Sequence, residues 1–199
     1  NGTTINVNAA IGDKNTAYIM FDVIAPQGTV LDRDDYVFAD MPIELNRTEK
    51  EKSNGNGVDW GITTLKDDNL TDNKKSFILA LHASNLDLQN RNIKLSLNNL
   101  SIEAGKLEYE TIIEGKWDFN LKLAYDTQTK EFDVNKFSNY KGANANVITG
   151  SISSISASVT FKGGTAGSFD GQMNNYITPE LVVNYKDGTS STARFGGGS

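Results

Sequence analysis

Apolar side chains recur at every second position in one segment after another, and this period of two is the strongest constraint on the fold. The segment Asn92 to Leu100 shows it clearly, because Ile93, Leu95 and Leu97 alternate with the polar residues Lys94, Ser96 and Asn98. No segment of helical length keeps the 3.6-residue apolar period of an amphipathic helix. The sequence therefore predicts an all-β fold in which this strand turns one face to the core, namely Ile93, Leu95 and Leu97.

Two further segments extend the pattern. Trp117 to Leu123 alternates in the same way, so Trp117 is interpreted as a core residue. Lys75 to Ala83 carries apolar residues at both parities, which predicts a strand buried on both faces. The run 147–161 is rich in serine and β-branched residues, but its apolar phase slips, and we expect a bulge or kink near Ser153 and Ser154 to absorb the slip.

The strongest local turn signal lies near the end of the chain. Asp187-Gly188 follows an alternating apolar segment, and this dipeptide suits the type I′ turn of a β-hairpin. We expect the returning strand over Thr189 to Phe195.

Short strands separated by turns rich in Asn, Asp and Gly favour an antiparallel β-sandwich. A polar stretch from Asp126 to Asn146 interrupts the strand pattern. We therefore expect two packed β units, a sandwich over 1–125 and a smaller unit over 126–199.

Composition narrows the classes of function. The 199 residues include no cysteine, so neither a disulfide framework nor a thiolate nucleophile is available. With 19 basic and 25 acidic residues the formal charge is −6, which has the wrong sign for binding nucleic acid. No apolar run approaches the length that spans a bilayer. Because the sequence starts without methionine and ends in glycines and a serine, we expect a portion of a longer protein.

Catalytic chemistry finds little support. His82 is the one histidine, and its place in an apolar strand predicts a structural, partly buried side chain. No Gly-x-Ser-x-Gly motif accompanies it, as a hydrolase of that type would require. We therefore predict no catalytic residues and no enzymatic activity.

Calcium is the one cofactor that the residues bring into consideration. Asp32 and Asp34 belong to an acidic cluster, and hard cations prefer converging carboxylate and carbonyl oxygens. The cluster lacks the spacing of an EF-hand loop, so solvated turn residues are the competing interpretation.

Exposed aromatic residues could form a platform for sugar rings. Trp60, Tyr140 and Tyr176 lie in or near polar, turn-rich segments, and they are the candidate ligand-binding residues. Ordinary packing is the competing interpretation for Trp60.

Several segments together carry a resemblance to a known group of proteins. The segment Tyr18 to Gly28 is similar to the early strand and Pro-x-Gly turn of extracytoplasmic domains in anti-sigma-factor-like, single-pass membrane proteins of Firmicutes. Further segments fit the same order, namely Ile93 to Leu97, Leu100 to Ile102, Glu114 to Phe119 and Pro179 to Gly188.

The resemblance implies immunoglobulin-like units displayed outside the cell membrane of a Gram-positive bacterium and attached to a membrane helix outside this sequence. It implies no catalytic residues. The expected function is a non-catalytic sensor or spacer domain of a membrane-anchored regulator or surface protein, with an extracellular protein or glycan as its ligand. An adhesin or carbohydrate-binding module is the alternative. The ligand, the oligomeric state and the flanking segments do not follow from the sequence.

Overall fold

The described residues are folded mainly into β-strands. The computed structural model describes residues 2–53, 57–66, 69, 71–83, 86–105, 108–140, 143–163, 180–184 and 186–194. Within these residues the one helix is α1 (Glu49–Ser53). The strands are β1 (Thr4–Gly12), β2 (Thr16–Ile24), β3 (Tyr36–Asp40), β4 (Ile43–Leu45), β5 (Val58–Thr64), β6 (Lys74–Ala83), β7 (Asn92–Gly105), β8 (Glu108–Lys122), β9 (Lys130–Tyr140), β10 (Ala143–Ile152), β11 (Ala157–Gly163), β12 (Glu180–Asn184) and β13 (Ser190–Arg194).

Two four-stranded antiparallel sheets form the main body. The first sheet has the order β1-β2-β6-β5, so β5 forms one of its edges. In the second sheet β7 is central, with β8 on one side. On its other side β4 pairs with the beginning of β7 and β3 with a later part. A third sheet has the order β11-β10-β9, and β12 pairs with β13.

The first two sheets pack face to face around one apolar core. Phe21 and Phe77 of the first sheet stack with ring centroids 5.4 Å apart. Phe38 of the second sheet contacts both rings, at centroid distances of 6.2 and 5.4 Å. Tilted and offset rings at these distances pack favourably. The predicted all-β fold with antiparallel sheets packed as a sandwich is confirmed.

The apolar residues of the alternating segments face the core. Ile93, Leu95 and Leu97 of β7 are buried in the core, as predicted. Trp117 of β8 packs against the core, and its ring lies edge-on to Phe38. In β6 the prediction was wrong in part, because Phe77, Leu79 and Leu81 are buried whereas the opposite face keeps partial solvent access at Ile78 and Ala80.

The predicted hairpin near the end of the chain is confirmed as β12 and β13. Its pairing closes at Asn184 and Ser190, so the connection is longer than a two-residue turn. Gly188 has a φ of 86°, but Asp187 does not have a positive φ. A type I′ turn needs positive φ at both positions, so that turn type was wrong. The Asp187 carboxylate instead accepts the Thr189 N–H at 2.9 Å.

The serine-rich run reverses its direction where a bulge or kink was expected. β10 ends at Ile152 and β11 begins at Ala157, and a turn joins them. The Ser153 N–H donates to the Ser156 carbonyl, and Ser153 Oγ accepts the N–H groups of Ile155 and Ser156. The phase slip in the sequence therefore marks a reversal of the chain.

The chain divides into two compact units. The first comprises residues 1–135 with 148–160, and the second comprises residues 136–147 with 161–199. The first unit contains both four-stranded sheets, and the β12–β13 hairpin belongs to the second. The boundary near Asp126 stays a prediction.

Gly12 is a position where backbone and ring approach too closely for any side chain. A Cβ atom there would lie 2.3 Å from the Tyr125 ring. We expect Gly12→Ala to lower the free energy of unfolding by about 2 kcal/mol, because the ring must move out of its packed position. Gly61, on the edge strand β5, has no atom within 4 Å of its Cβ position and is the matched control. Urea unfolding measures both variants, and equal stability losses would contradict the expectation.

Candidate functional site

An incompletely covered tryptophan marks the first candidate site. Along β5, Val58, Trp60 and Ile62 pair with the buried Ala83, Leu81 and Leu79 of β6. Their side chains therefore share the parity that faces the second sheet. Val58 and Ile62 are partly buried against the core, whereas Trp60 remains 48% exposed.

The short length of the opposing strand explains this exposure. β4 has three residues, and Ile43 and Leu45 supply its partly buried apolar side chains. Between β4 and β5 the two sheets leave a cavity of about 90 Å³. We call it the edge cavity, and its lining residues are Ile43, Leu45, Arg47, Val58, Trp60, Leu81 and Ile93.

The segment between β4 and β5 is held in place by charged hydrogen bonds. Thr48 and Glu51 bond to each other's backbone N–H groups, which caps the start of α1. Arg91 donates to both carboxylate oxygens of Glu51, at 2.5 and 3.2 Å, and to the Asn46 carbonyl. Hydrogen bonds from Arg91 and the Thr48 backbone lower the pKa of Glu51 to about 2. Arg47, which lines the edge cavity, lies between these two anchored points in the chain.

The side chains of the other two candidate aromatic residues lie outside the described part of the structure. Tyr140 is the last residue of β9, and its side chain lies outside the described part. Tyr176 lies outside the described residues altogether. A shared platform of Trp60, Tyr140 and Tyr176 therefore stays a prediction, with Trp60 alone placed in a cavity.

The candidate calcium residues are placed in the connection between β2 and β3. Asp32 is exposed, and Asp34 accepts a hydrogen bond from the Lys75 ammonium at 2.6 Å. One Asp34 oxygen is therefore already paired with the ammonium group of Lys75 on β6. In the described part of the chain, no group of three or more acidic or histidine side chains is close enough to hold a metal ion. Calcium binding by Asp32 and Asp34 stays a prediction.

Lys75 itself is unusual because its side chain is 0% exposed, whereas that of Asp34 is 60% exposed. It faces the core on the same parity as Phe77 and Leu79. Burying an ammonium group is costly unless a carboxylate compensates it. The ion pair thus ties the β2–β3 connection to the core side of the first sheet.

Asp13 is a buried carboxylate, 1% exposed, that the sequence analysis missed. It accepts the N–H groups of Asn15 and Thr16 at 3.0 and 2.8 Å. It also accepts hydroxyl hydrogen bonds from Ser153 and Ser156 at 2.6 and 2.5 Å. Four donors thus converge on one carboxylate and join the β1–β2 turn to the β10–β11 turn.

Electrostatics at this position follow from the same contacts. Burial raises the pKa of Asp13, but the hydrogen bonds from the two serines and the two amides outweigh it, so the pKa lies below its ordinary value. The Tyr125 hydroxyl donates to the Asp13 carbonyl at 3.0 Å. Burial, together with the charge of Asp13, raises the pKa of Tyr125. A fully satisfied carboxylate of this kind stabilises structure.

His82 is exposed on β6, so the expectation of a partly buried side chain was wrong. Its parity places it on the outer face of the first sheet, opposite the core residues of the same strand. Its Nδ1 atom lies 3.4 Å from Thr16 Oγ1.

No protein-family model matches the sequence, and no curated protein sequence matches it significantly. Among solved structures, the crystal structure of the conserved domain protein from Bacillus anthracis is similar, with a TM-score of 0.55 and 20% sequence identity. The match covers 77% of this chain and 48% of that one, so the matched part is about half of that protein. At this identity the likeness shows the fold alone. In the described residues, no helix is long and apolar enough to cross a membrane.

Among the described residues, the edge cavity is the feature that we take as the candidate ligand-binding site. It combines an aliphatic floor, a half-exposed indole ring and a guanidinium group. Apolar pockets with a few polar groups are the usual form of binding sites. The Asp13 and Lys75 side chains are held by hydrogen bonds and an ion pair within the fold.

Proposed function

We propose that this chain is a non-catalytic extracellular module, the sensor or spacer part of a membrane-anchored bacterial regulator or surface protein. The edge cavity carries the proposal, because it is an opening between the two sheets, lined by aliphatic side chains and Arg47, that leaves Trp60 half exposed. A sensor needs such a contact point for an extracellular ligand. The resemblance to anti-sigma-factor-like extracytoplasmic domains supports the same function.

Rigidity is the mechanical basis of the proposed role. The core aromatic rings, the Lys75–Asp34 ion pair and the Asp13 hydrogen bonds join distant parts of the first unit. A ligand at the edge cavity would therefore act on a stiff body, which can pass a change of position or load to an adjoining membrane segment. The proposed activity is ligand binding and the transmission of a change of position or load, without catalysis.

An adhesin or carbohydrate-binding module is the second candidate, and one observation favours it. The Trp60 ring is half exposed beside a cavity, and indole rings are good stacking surfaces for the apolar faces of sugars. In that case the ligand would be a glycan, and the same residue would carry its recognition.

The location outside the cell can be tested directly. The parent gene should encode an apolar segment of about 20 residues that anchors this chain. In the source bacterium, an antibody against the chain should label intact cells, and added protease should remove the signal without lysis. A parent gene without any anchor or export signal, together with labelling only after lysis, would rule out the proposal. A cleavable signal with repeated β modules or a wall anchor would favour the adhesin.

A further inference from the structure

We infer that β1 is the pairing edge for a second copy of this chain, whose own β1 lies antiparallel beside it and joins two four-stranded sheets into one. The inference goes beyond the proposed function and does not depend on it. It follows from the position of β1 in its sheet, from the composition of the strand and from the exposure of its apolar side chains.

β1 forms an outer edge of the first sheet. It is a strand of nine residues, Thr4–Gly12, and in the described part of the molecule it pairs with β2 alone. The backbone N–H and C=O groups on its other side are therefore open to a further strand. Proteins commonly keep their edge strands very short for this reason. The length of β1 instead provides a long row of pairing groups.

β1 is also the one edge strand among the described elements that has no charged residue. A charged side chain is a common protection against pairing between sheet edges, and proline is another, but β1 has neither. Every other described edge strand has at least one charged residue, for example Asp40 on β3, Glu44 on β4, Asp59 on β5, Glu110 on β8, Glu131 on β9, Lys162 on β11, Glu180 on β12 and Arg194 on β13.

Apolar side chains at this edge are left partly uncovered. On β1, Val7 is 39% exposed and Ile11 is 52% exposed. Tyr18 of β2, which pairs with Ile11, is 36% exposed. A strand added beside β1 would place its own side chains next to Val7 and Ile11 and remove apolar surface from water, which is favourable.

A β-bulge limits the length of the pairing. The register of β1 against β2 shifts between Val7 and Ala9, so Asn8 is the extra residue. A bulge bends its strand and shields an edge in part. It divides β1 into two arms, residues 4–7 and 9–12, and each arm has one exposed apolar residue. We therefore expect a short pairing and a dissociation constant on the order of 10–100 µM.

The same features select a second copy as the partner. Like charges opposite each other destabilise a strand pair, and β1 has no charge to place opposite its copy. A partner recognised by charge would find no charged group on this strand. Two identical strands related by a two-fold axis run antiparallel, and such an interface is closed. The expected assembly is therefore a dimer and not a fibre.

Sedimentation equilibrium of the whole chain over about 1–200 µM should show a monomer–dimer equilibrium. Val7→Lys and Ile11→Lys each place a charge on one arm, and they should weaken the dimer by roughly tenfold or more. Thr63→Lys is the matched control, because Thr63 is exposed on β5, the opposite edge of the same sheet. It should leave the dissociation constant unchanged. Thermal unfolding shows whether each variant keeps its fold.

Two measurements on the unaltered chain provide a test if a lysine variant does not fold. Amide exchange within β1 should slow as the concentration rises into the range of the dimer, whereas exchange within β5 should not change. Added salt should strengthen the dimer, because both copies have the same formal charge of −6 and salt screens their repulsion. An interface made of ion pairs would weaken under the same conditions.

Each outcome decides for or against the inference. Weakening of the dimer in one lysine variant alone supports it and locates the pairing in that arm. A chain that stays monomeric at about 200 µM overturns it. A dimer that persists unchanged in both Val7→Lys and Ile11→Lys, or that is weakened equally by Thr63→Lys, also overturns it. The same holds for a dimer that leaves amide exchange within β1 unchanged, because the copies would then meet elsewhere.

Discussion

Replacing Asp34 by alanine is expected to lower the free energy of unfolding by about 3 kcal/mol. The Lys75 side chain is fully buried, and its ammonium group lies 2.6 Å from Asp34 Oδ1. Removing the carboxylate leaves a buried positive charge without its counter-charge, which typically costs several kcal/mol. The exposure of Asp34 moderates this cost, because water can approach the vacated side. Urea unfolding measured by tryptophan fluorescence gives the value, and both tryptophans lie in the first unit.

The opposite half of the pair should behave differently. Lys75→Met removes the buried charge, fills a similar volume and leaves Asp34 free to be solvated. Its free energy of unfolding should therefore stay within about 1 kcal/mol of the wild type, or exceed it. Adding Asp34→Ala to Lys75→Met should then have little further effect, because no buried charge is left uncompensated.

Asp35 provides the matched control for Asp34. It pairs with Arg33 at 2.5 Å, but both of these side chains are about half exposed. Exposed ion pairs contribute little, so Asp35→Ala should leave stability almost unchanged. If Asp34→Ala and Asp35→Ala were equally mild, Lys75 would not depend on Asp34 for compensation.

Replacing Asp13 by alanine should be at least as damaging, with a loss of about 4 kcal/mol. Each of the four donors to Asp13 loses its acceptor, and a buried donor without a partner costs about 1 kcal/mol or more. Asp40→Ala is the control, since Asp40 is exposed and accepts one side-chain hydrogen bond from Asn98. Equal losses in the two variants would show that the convergence of donors on Asp13 is unimportant.

Asp13 should also give the protein part of its acid sensitivity. Its pKa is lower in the folded protein than the ordinary value of 3.8, so ionisation favours the folded state. This contribution is fully present above pH 3.8 and is lost as the pH falls through the lower folded pKa. In Asp13→Asn the group no longer titrates, so its stability should change less with pH in this acidic range. A pH dependence identical to that of the wild type would contradict the role of Asp13.

The strands and turns of this fold were predictable from the sequence where residue alternation or a turn dipeptide determines them. The period of two identified β7 and β8, because the alternating apolar residues of each strand share one face. That face is buried in β7 and partly buried in β8. Asp187-Gly188 located the last hairpin, although its loop is longer than the dipeptide suggested. The same rule failed at Ser153, where a phase slip could mean either a bulge or a reversal of the chain.

The site residues were less predictable, because their properties depend on residues far away in the chain. Trp60 was a candidate from its polar surroundings, but its exposure results from the shortness of β4. Asp34 appeared as a possible calcium ligand, and only the structure shows Lys75 beside it. Lys75 occupies an inward position of β6 that alternation alone assigns to an apolar residue. Its partner lies 41 residues earlier in the sequence, in a connection that has no periodic signal.

The contact between Asp13 and the β10–β11 turn has a consequence for how the chain acquires its structure. The two serine donors come 140 and 143 residues after the acid they serve. During synthesis from the amino terminus, the β1–β2 turn leaves the ribosome long before its partners exist. Contacts of such wide separation form slowly, because the loop that they close is long. The Asp13 carboxylate therefore lacks two of its four hydrogen bonds until Ser153 and Ser156 have been synthesised. Completion of these contacts requires nearly the whole length of the first unit.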